Sequence, residues 1–154
     1  MIVTCHKISD MDKQAYDQLS KFIGNWNTEG IIPSTNNEPA IKIMGTDHYE
    51  WIVDGFFLLH KAEVHIGNDS SKTHEIIGYD SLKHHYTMQH YNNKGESGFM
   101  SATVNDGLWV FNGDSLRFKG GFNEAEDVFS GIWEQLTENK TWTHLMDIKL
   151  SKNH

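Results

Sequence analysis

The chain has 154 residues, with 13 Lys+Arg against 21 Asp+Glu and a formal net charge of −8. That length suits one domain with a sizeable core. The acidic balance, with Arg117 as the only arginine, excludes nucleic-acid binding, since phosphates need clustered Lys and Arg, and excludes attraction to an anionic membrane surface. Cys5 is the only cysteine, so neither an intrachain disulfide nor a cysteine-based zinc site is available. The first residues carry no apolar core of signal-peptide length, and no run reaches membrane-spanning length. A soluble, cytoplasmic protein of a reducing compartment is expected.

Asp10-Met11-Asp12 supplies helix N-cap chemistry, and Met11, Ala15, Leu19 and Ile23 recur at intervals of four. One short amphipathic helix is therefore predicted over residues 10–22, with an apolar stripe suited to covering the open end of a barrel. Gly24 follows as a C-cap candidate, and Trp26 stands two residues later at the start of the first strand. Residues 31–39 read as a polar loop holding Pro33 and Pro39, the only prolines, so none interrupts a strand.

From Ala40 onward the chain reads as hairpins. Asp54-Gly55 between apolar residues has the composition of a two-residue type I′ turn, joining a strand of about 41–53 to one of about 56–66. Turn signals recur at Gly67-Asn68-Asp69-Ser70, Asp80-Ser81-Leu82, Asn92 to Gly95, Asn105-Asp106-Gly107, Asn112-Gly113-Asp114, Gly120 to Glu126 and Thr137 to Lys140. About nine or ten strands result, spaced as in an all-β meander. Closing such a meander into a barrel removes exposed edges, and its short connections suit a barrel better than a Greek-key sandwich.

Alternation sorts the strands into faces. Phe56, Leu58, His60, Ala62 and Val64 share the inward face of one strand. His84, Tyr86, Met88 and His90 share the better interior face of another, and Trp142, His144, Met146, Ile148 and Leu150 that of the last. The strand 41–53 stays open. Ile41, Ile43, Tyr49 and Trp51 line up on one side and Met44, Thr46, His48, Glu50 and Ile52 on the other, and a bulge near Gly45 is a way to switch phase. Arg117 alternates with Leu116 and Phe118 and is expected to face out. The interior set offers Phe56, Leu58, His60, Tyr86, Met88, His90, Trp142, His144 and Met146 as lining for a small, largely hydrophobic ligand. The same residues would also fill a solid barrel with every histidine satisfied by a neighbour.

The order of landmarks resembles an uncharacterised lipocalin-like (calycin-type) family, mostly bacterial and classed as a domain of unknown function. Those landmarks are Gly24-x-Trp26-x-x-Glu29-Gly30, the Asp54-Gly55 hairpin, Ile77-Gly78-Tyr79-Asp80, the Asn93-Lys94-Gly95 turn and Lys140-Thr141-Trp142 with a final strand ending at Lys152. The resemblance implies a single antiparallel up-and-down barrel over about residues 24–152 of one 1–154 domain. It also implies that Trp26 packs under a basic side chain of the final strand, Lys149 or Lys152. More distantly the chain is similar to the nitrobindins, which bind haem through one histidine near the C-terminus. That similarity points to His144 as the iron ligand, although Thr28 stands where nitrobindins carry the middle glycine of their opening motif.

No P-loop, G-x-S-x-G or G-x-G-x-x-G occurs. A metal site would need cross-strand convergence, for example of His60, His90 and His144, and none is expected. A barrel enzyme of isomerase or lyase type would use an interior acid/base pair, with Glu50 and His60 as the candidates. The leading expectation is a carrier of a small hydrophobic ligand with no cofactor, and self-association as a homodimer is compatible with it.

Overall fold

The computed structural model describes residues 9–154; Cys5 and the rest of the N-terminal segment lie outside the described residues. A helix α1 (Asp10–Ser20) precedes ten strands: β1 (Gly24–Ile32), β2 (Ile41–Ile52), β3 (Phe57–Ile66), β4 (Asp69–Asp80), β5 (His85–Asn92), β6 (Ser97–Asn105), β7 (Leu108–Asn112), β8 (Leu116–Phe122), β9 (Val128–Leu136) and β10 (Trp142–Lys152). Each strand pairs antiparallel with its neighbour in sequence, and β1 pairs with β10 to close the barrel. No edge strand remains among the described residues. Among them, too, no helix is long and apolar enough to cross a membrane.

The helix starts one residue earlier than its acidic cluster suggests. The Ser9 hydroxyl accepts from the Asp12 backbone N–H at 3.2 Å, while Asp10 and Asp12 lie in the first turn, where carboxylates favour the helix dipole. Ala15 and Leu19 are buried, but Met11 is 63% exposed, so the stripe is shorter than its four-residue spacing predicts. α1 lies across one end of the barrel, where the Tyr86 hydroxyl donates to the Ala15 carbonyl at 2.9 Å. Phe22, just beyond the helix, completes that lid and meets Trp109, Phe122 and Phe129 at centroid distances of 5.1, 4.9 and 5.0 Å.

Gly24 is not the helix C-cap. Lys21 holds that position in right-handed geometry, and Gly24 opens β1 with φ of 127°. Trp26 is 1% exposed and its indole N–H donates to the Phe22 carbonyl at 2.8 Å. The basic residue over its ring is Lys152, whose ammonium lies 5.3 Å from the centroid, whereas Lys149 reaches the Glu29 carboxylate at 3.6 Å. The helix, the opening strand and the closing strand are thus pinned together around one indole.

Three local features correct the sequence reading. The connection after β2 is not a two-residue turn. Ile52 pairs with Phe57, and Val53, Asp54 and Gly55 take φ of 51, 56 and 84° in succession. Phe56 therefore belongs to the turn, half-exposed and packed edge-on against Tyr16 at 6.1 Å, instead of facing the lumen. In β10, His144 is opposite Glu134 and Met146 opposite Trp133, so Leu145 is the extra residue of a bulge. That bulge reverses the facing of everything before it: Met146, Ile148 and Leu150 line the interior, while Trp142 and His144 lie on the outer face. Gly45 is no bulge. Its register runs unbroken from Thr28 across to Val64, and a Cβ there would overlap the Glu63 carbonyl.

Candidate functional site

The strand 41–53, which alternation alone leaves unsorted, turns its Ile43–Tyr49 set inward. Ile43, Asp47 and Tyr49 are all buried. One rung of the barrel wall then reads Tyr49 (β2), His60 (β3), Glu75 (β4), His90 (β5) and Gly98 (β6), each residue directly opposite the next. Asp47 projects from the preceding inward position of β2. Cross-strand neighbours on one face stand within side-chain reach, so register alone assembles an acid–imidazole–acid cluster.

His60 sits between the two carboxylates. Its Nε2–H donates to Asp47 Oδ1 at 2.5 Å and its Nδ1–H to Glu75 Oε1 at 3.1 Å. The Thr28 hydroxyl on β1 donates to the other Asp47 oxygen. Tyr49 stacks on the imidazole with centroids 4.0 Å apart and planes 5° from parallel. The side chains of Asp47, His60 and Glu75 are 8, 14 and 10% exposed. Burial alone would lower the His60 pKa, but the hydrogen bonds and charges of Asp47 and Glu75 override it and raise the value from 6.5 to about 9. The ring is thus an imidazolium at neutral pH. Burial, with Asp47 and Glu75 nearby, pushes the Tyr49 hydroxyl well above its ordinary value, so it stays protonated.

This cluster opens onto a cavity of about 330 Å³ inside the barrel. Towards the helix the space ends on Leu19, Phe22, Tyr86 and Trp109. The far half is walled by Val64, Ile66, Leu116 and Met146, and the polar cluster lies between the two. Both His60 nitrogens are engaged. From this cluster a molecule in the lumen is offered a carboxylate oxygen of Glu75 and no nitrogen of His60, while the His90 ring borders the same cavity.

Of the residues expected to line the interior, His60, Tyr86, Met88, His90 and Met146 border the cavity. Leu58 is fully buried in the packing towards the helix and does not border it. Phe56, Trp142 and His144 are elsewhere: Phe56 in the turn, Trp142 under the Arg117 guanidinium at 4.3 Å, and His144 bonded to Asp147 at 3.2 Å with 42% of its side chain exposed. Glu50 is on the outer face beside Lys61 at 3.8 Å and His48 at 3.9 Å, so it makes no interior pair with His60. His84 falls in the turn before β5 with φ of 54°. Arg117 faces out as expected and pairs with Glu134 at 3.1 Å.

Haem coordination through His144 does not fit this arrangement, because its ring is separated from the lumen by the barrel wall. Thr28, at the position of the nitrobindin glycine, instead points inward to hold Asp47. Among the described residues no group of three or more His, Cys, Asp or Glu is arranged to hold a metal ion.

Sequence reading missed Asp47, Glu75, Thr28 and Tyr49 as a unit. The signal was present in part: Asp47 shares parity with Ile43 and Tyr49, and Glu75 with Ile77.

Among curated proteins no match is found. A solved structure similar to this chain is the crystal structure of Rv2717c from M. tuberculosis, with 10% sequence identity and a TM-score of 0.66 over 96% of this chain and 100% of that one. At that identity the likeness shows the fold, a lipocalin-like barrel. Residues 12–127, from the helix to the turn after β8 and so including Thr28, Asp47, His60 and Glu75, match the family described as protein of unknown function (DUF1579), and the chain belongs to that family.

Proposed function

We propose that this protein binds a small, largely apolar molecule in the lumen of its barrel. The observation that carries the reading is the cavity of about 330 Å³ bounded by aromatic, aliphatic and methionine side chains. Protein interiors seldom leave space beyond a water molecule, because an unfilled apolar void costs stability with its volume. A cavity this size falls in the range of small-molecule sites, roughly 300–1,000 Å³. Apolar walls supply affinity by burial, and the single polar cluster supplies orientation.

The test is a titration with N-phenyl-1-naphthylamine, an apolar fluorophore that is neutral at pH 7, against the wild type and Ala62→Phe. Ala62 borders the cavity, so a phenyl group there fills space instead of displacing core. Saturable fluorescence enhancement in the wild type, weakened at least tenfold in a folded Ala62→Phe protein, is the expected result. A wild type that does not bind the probe, or a variant that binds it equally well, refutes lumen binding.

A further inference from the structure

The ligand class follows from the charges around His60, and this inference rests on the lumen-binding reading above. Two carboxylates face one imidazolium, so the cluster retains one negative charge. Asp47 is satisfied at both oxygens, one by His60 and one by Thr28. Glu75 is not. Its Oε1 accepts from His60, while its Oε2 has no hydrogen-bond partner among the described residues, although the side chain is only 10% exposed. No buried side-chain oxygen there is both sealed and unpartnered, so Oε2 opens onto the cavity that Glu75 borders.

His90, opposite Glu75 on β5, does not close the gap. Its ring lies over Gly98, where a Cβ would come within 2.7 Å of it. The only ion-pair partner of Glu75 among the described residues is His60. A carboxylate oxygen without a partner in a largely apolar enclosure is unfavourable until a donor or a cation reaches it.

We propose that the lumen selects a small, largely apolar molecule carrying one protonated amine or amidine nitrogen, whose N–H is directed to Glu75 Oε2. An anionic ligand would meet that oxygen with like charge. A neutral alcohol would donate a hydrogen bond and leave the charge in place. A protonated nitrogen supplies both the donor and the countercharge, and charge-assisted hydrogen bonds are the stronger kind. The apolar remainder of the molecule would lie against Ala62, Val64, Ile77 and Met88, which border the same space.

Phenethylamine, 2-phenylethanol and phenylacetate share ring and chain and differ in one group. Each is titrated calorimetrically at pH 7 into the full chain, and by displacement of bound N-phenyl-1-naphthylamine, with Glu75→Gln alongside. The expected result is an amine at least tenfold tighter than the alcohol, with phenylacetate weakest. In Glu75→Gln the amine should fall to within about threefold of the alcohol. Equal affinity of amine and alcohol in the wild type overturns the inference and leaves lumen binding standing, and that comparison needs no variant to fold. An amine preference undiminished in folded Glu75→Gln also overturns it, by placing the contact elsewhere. If neither the fluorophore nor any of the three binds, lumen binding itself fails and the inference falls with it.

Discussion

Two walls of the same barrel solve burial in opposite ways. On β7, β8 and β9 the interior is aromatic: Phe118 is 1% exposed and contacts Phe111, Phe129 and Trp133 at 4.7, 5.4 and 5.4 Å between ring centroids. On β2, β3 and β4 the interior holds Asp47, His60 and Glu75, joined by hydrogen bonds. Each ring on the aromatic wall contributes by itself, through area removed from water and dispersion contacts. On the polar wall no member is favourable alone, since each charge is tolerated only because the next one meets it. The aromatic wall therefore stabilises the barrel. The polar wall gives the lumen a direction.

The sharpest way to break this contrast is to remove members singly and together. His60→Leu leaves Asp47 and Glu75 facing one another without a cation, and should cost about 3–5 kcal/mol, the scale for breaking a buried ion pair by removing one partner. Phe118→Ala should cost a similar ~3–5 kcal/mol through lost burial and a new cavity. Their companions separate the walls. Replacing Asp47, His60 and Glu75 together by Leu should recover much of the loss, because a buried charge cluster exchanged for apolar residues is often neutral or stabilising. Adding Phe129→Ala to Phe118→Ala should deepen it. Urea unfolding of these four proteins, with Asp47→Leu and Glu75→Leu alongside, decides the matter, and a triple variant that loses the sum of its single losses would show that the cluster is not a coupled unit.

A smaller effect separates the walls by pH. The folded-state pKa of His60 is raised from 6.5 to about 9, so between those values the native protein keeps a proton that the unfolded chain has released. Stability from this group is then complete below about pH 6.5 and declines as pH rises through about 9. At 1.36 kcal/mol per unit the full loss is on the order of 3 kcal/mol. The groups facing the ring are Asp47, Glu75, the neutral Tyr49 hydroxyl and the Thr28 hydroxyl that holds Asp47. Between pH 6 and pH 9.5 the urea midpoint should fall for the wild type and stay nearly level for the triple Leu variant. The aromatic wall titrates nothing in this window, so Phe118→Ala should keep the wild-type slope.

Legibility in the sequence followed the same division. The helix, the all-β meander and the closure into a barrel follow from turn residues and alternation, and β3 alone places His60, Ala62 and Val64 inside. Trp26 and the basic residue above it follow from the family resemblance, with Lys152 chosen by the register Trp26 to Lys152. Asp47 and Glu75 were hidden because a carboxylate on an inward position looks like a break in the apolar pattern. What makes it acceptable, His60 one strand away, is visible only once both hairpin registers are known. The longer turn at Val53–Phe56 removes Phe56 from its strand without changing the register, whereas the bulge at Leu145 shifts phase by one residue, and period-two sorting assumes that phase is kept.

The smallest expected effect tests that phase assumption at His144. Counting by twos from Met146 puts its imidazole in the lumen, where haemin could reach it. The extra residue at Leu145 puts it outside, 42% exposed, with one hydrogen bond to Asp147. An exposed pair of this kind contributes little, so His144→Ala should change unfolding by no more than about 0.5 kcal/mol. It should also leave N-phenyl-1-naphthylamine affinity unaltered, whereas Ala62→Phe on the inward face weakens it. A haemin titration is the most sensitive reader of facing. Any Soret absorbance that the wild type develops should be matched by His144→Ala, since a ring on the outer face cannot ligate iron held in the lumen. A band lost specifically in His144→Ala would place that imidazole inside, which requires β10 to run without its bulge and shifts Trp142 inward with it.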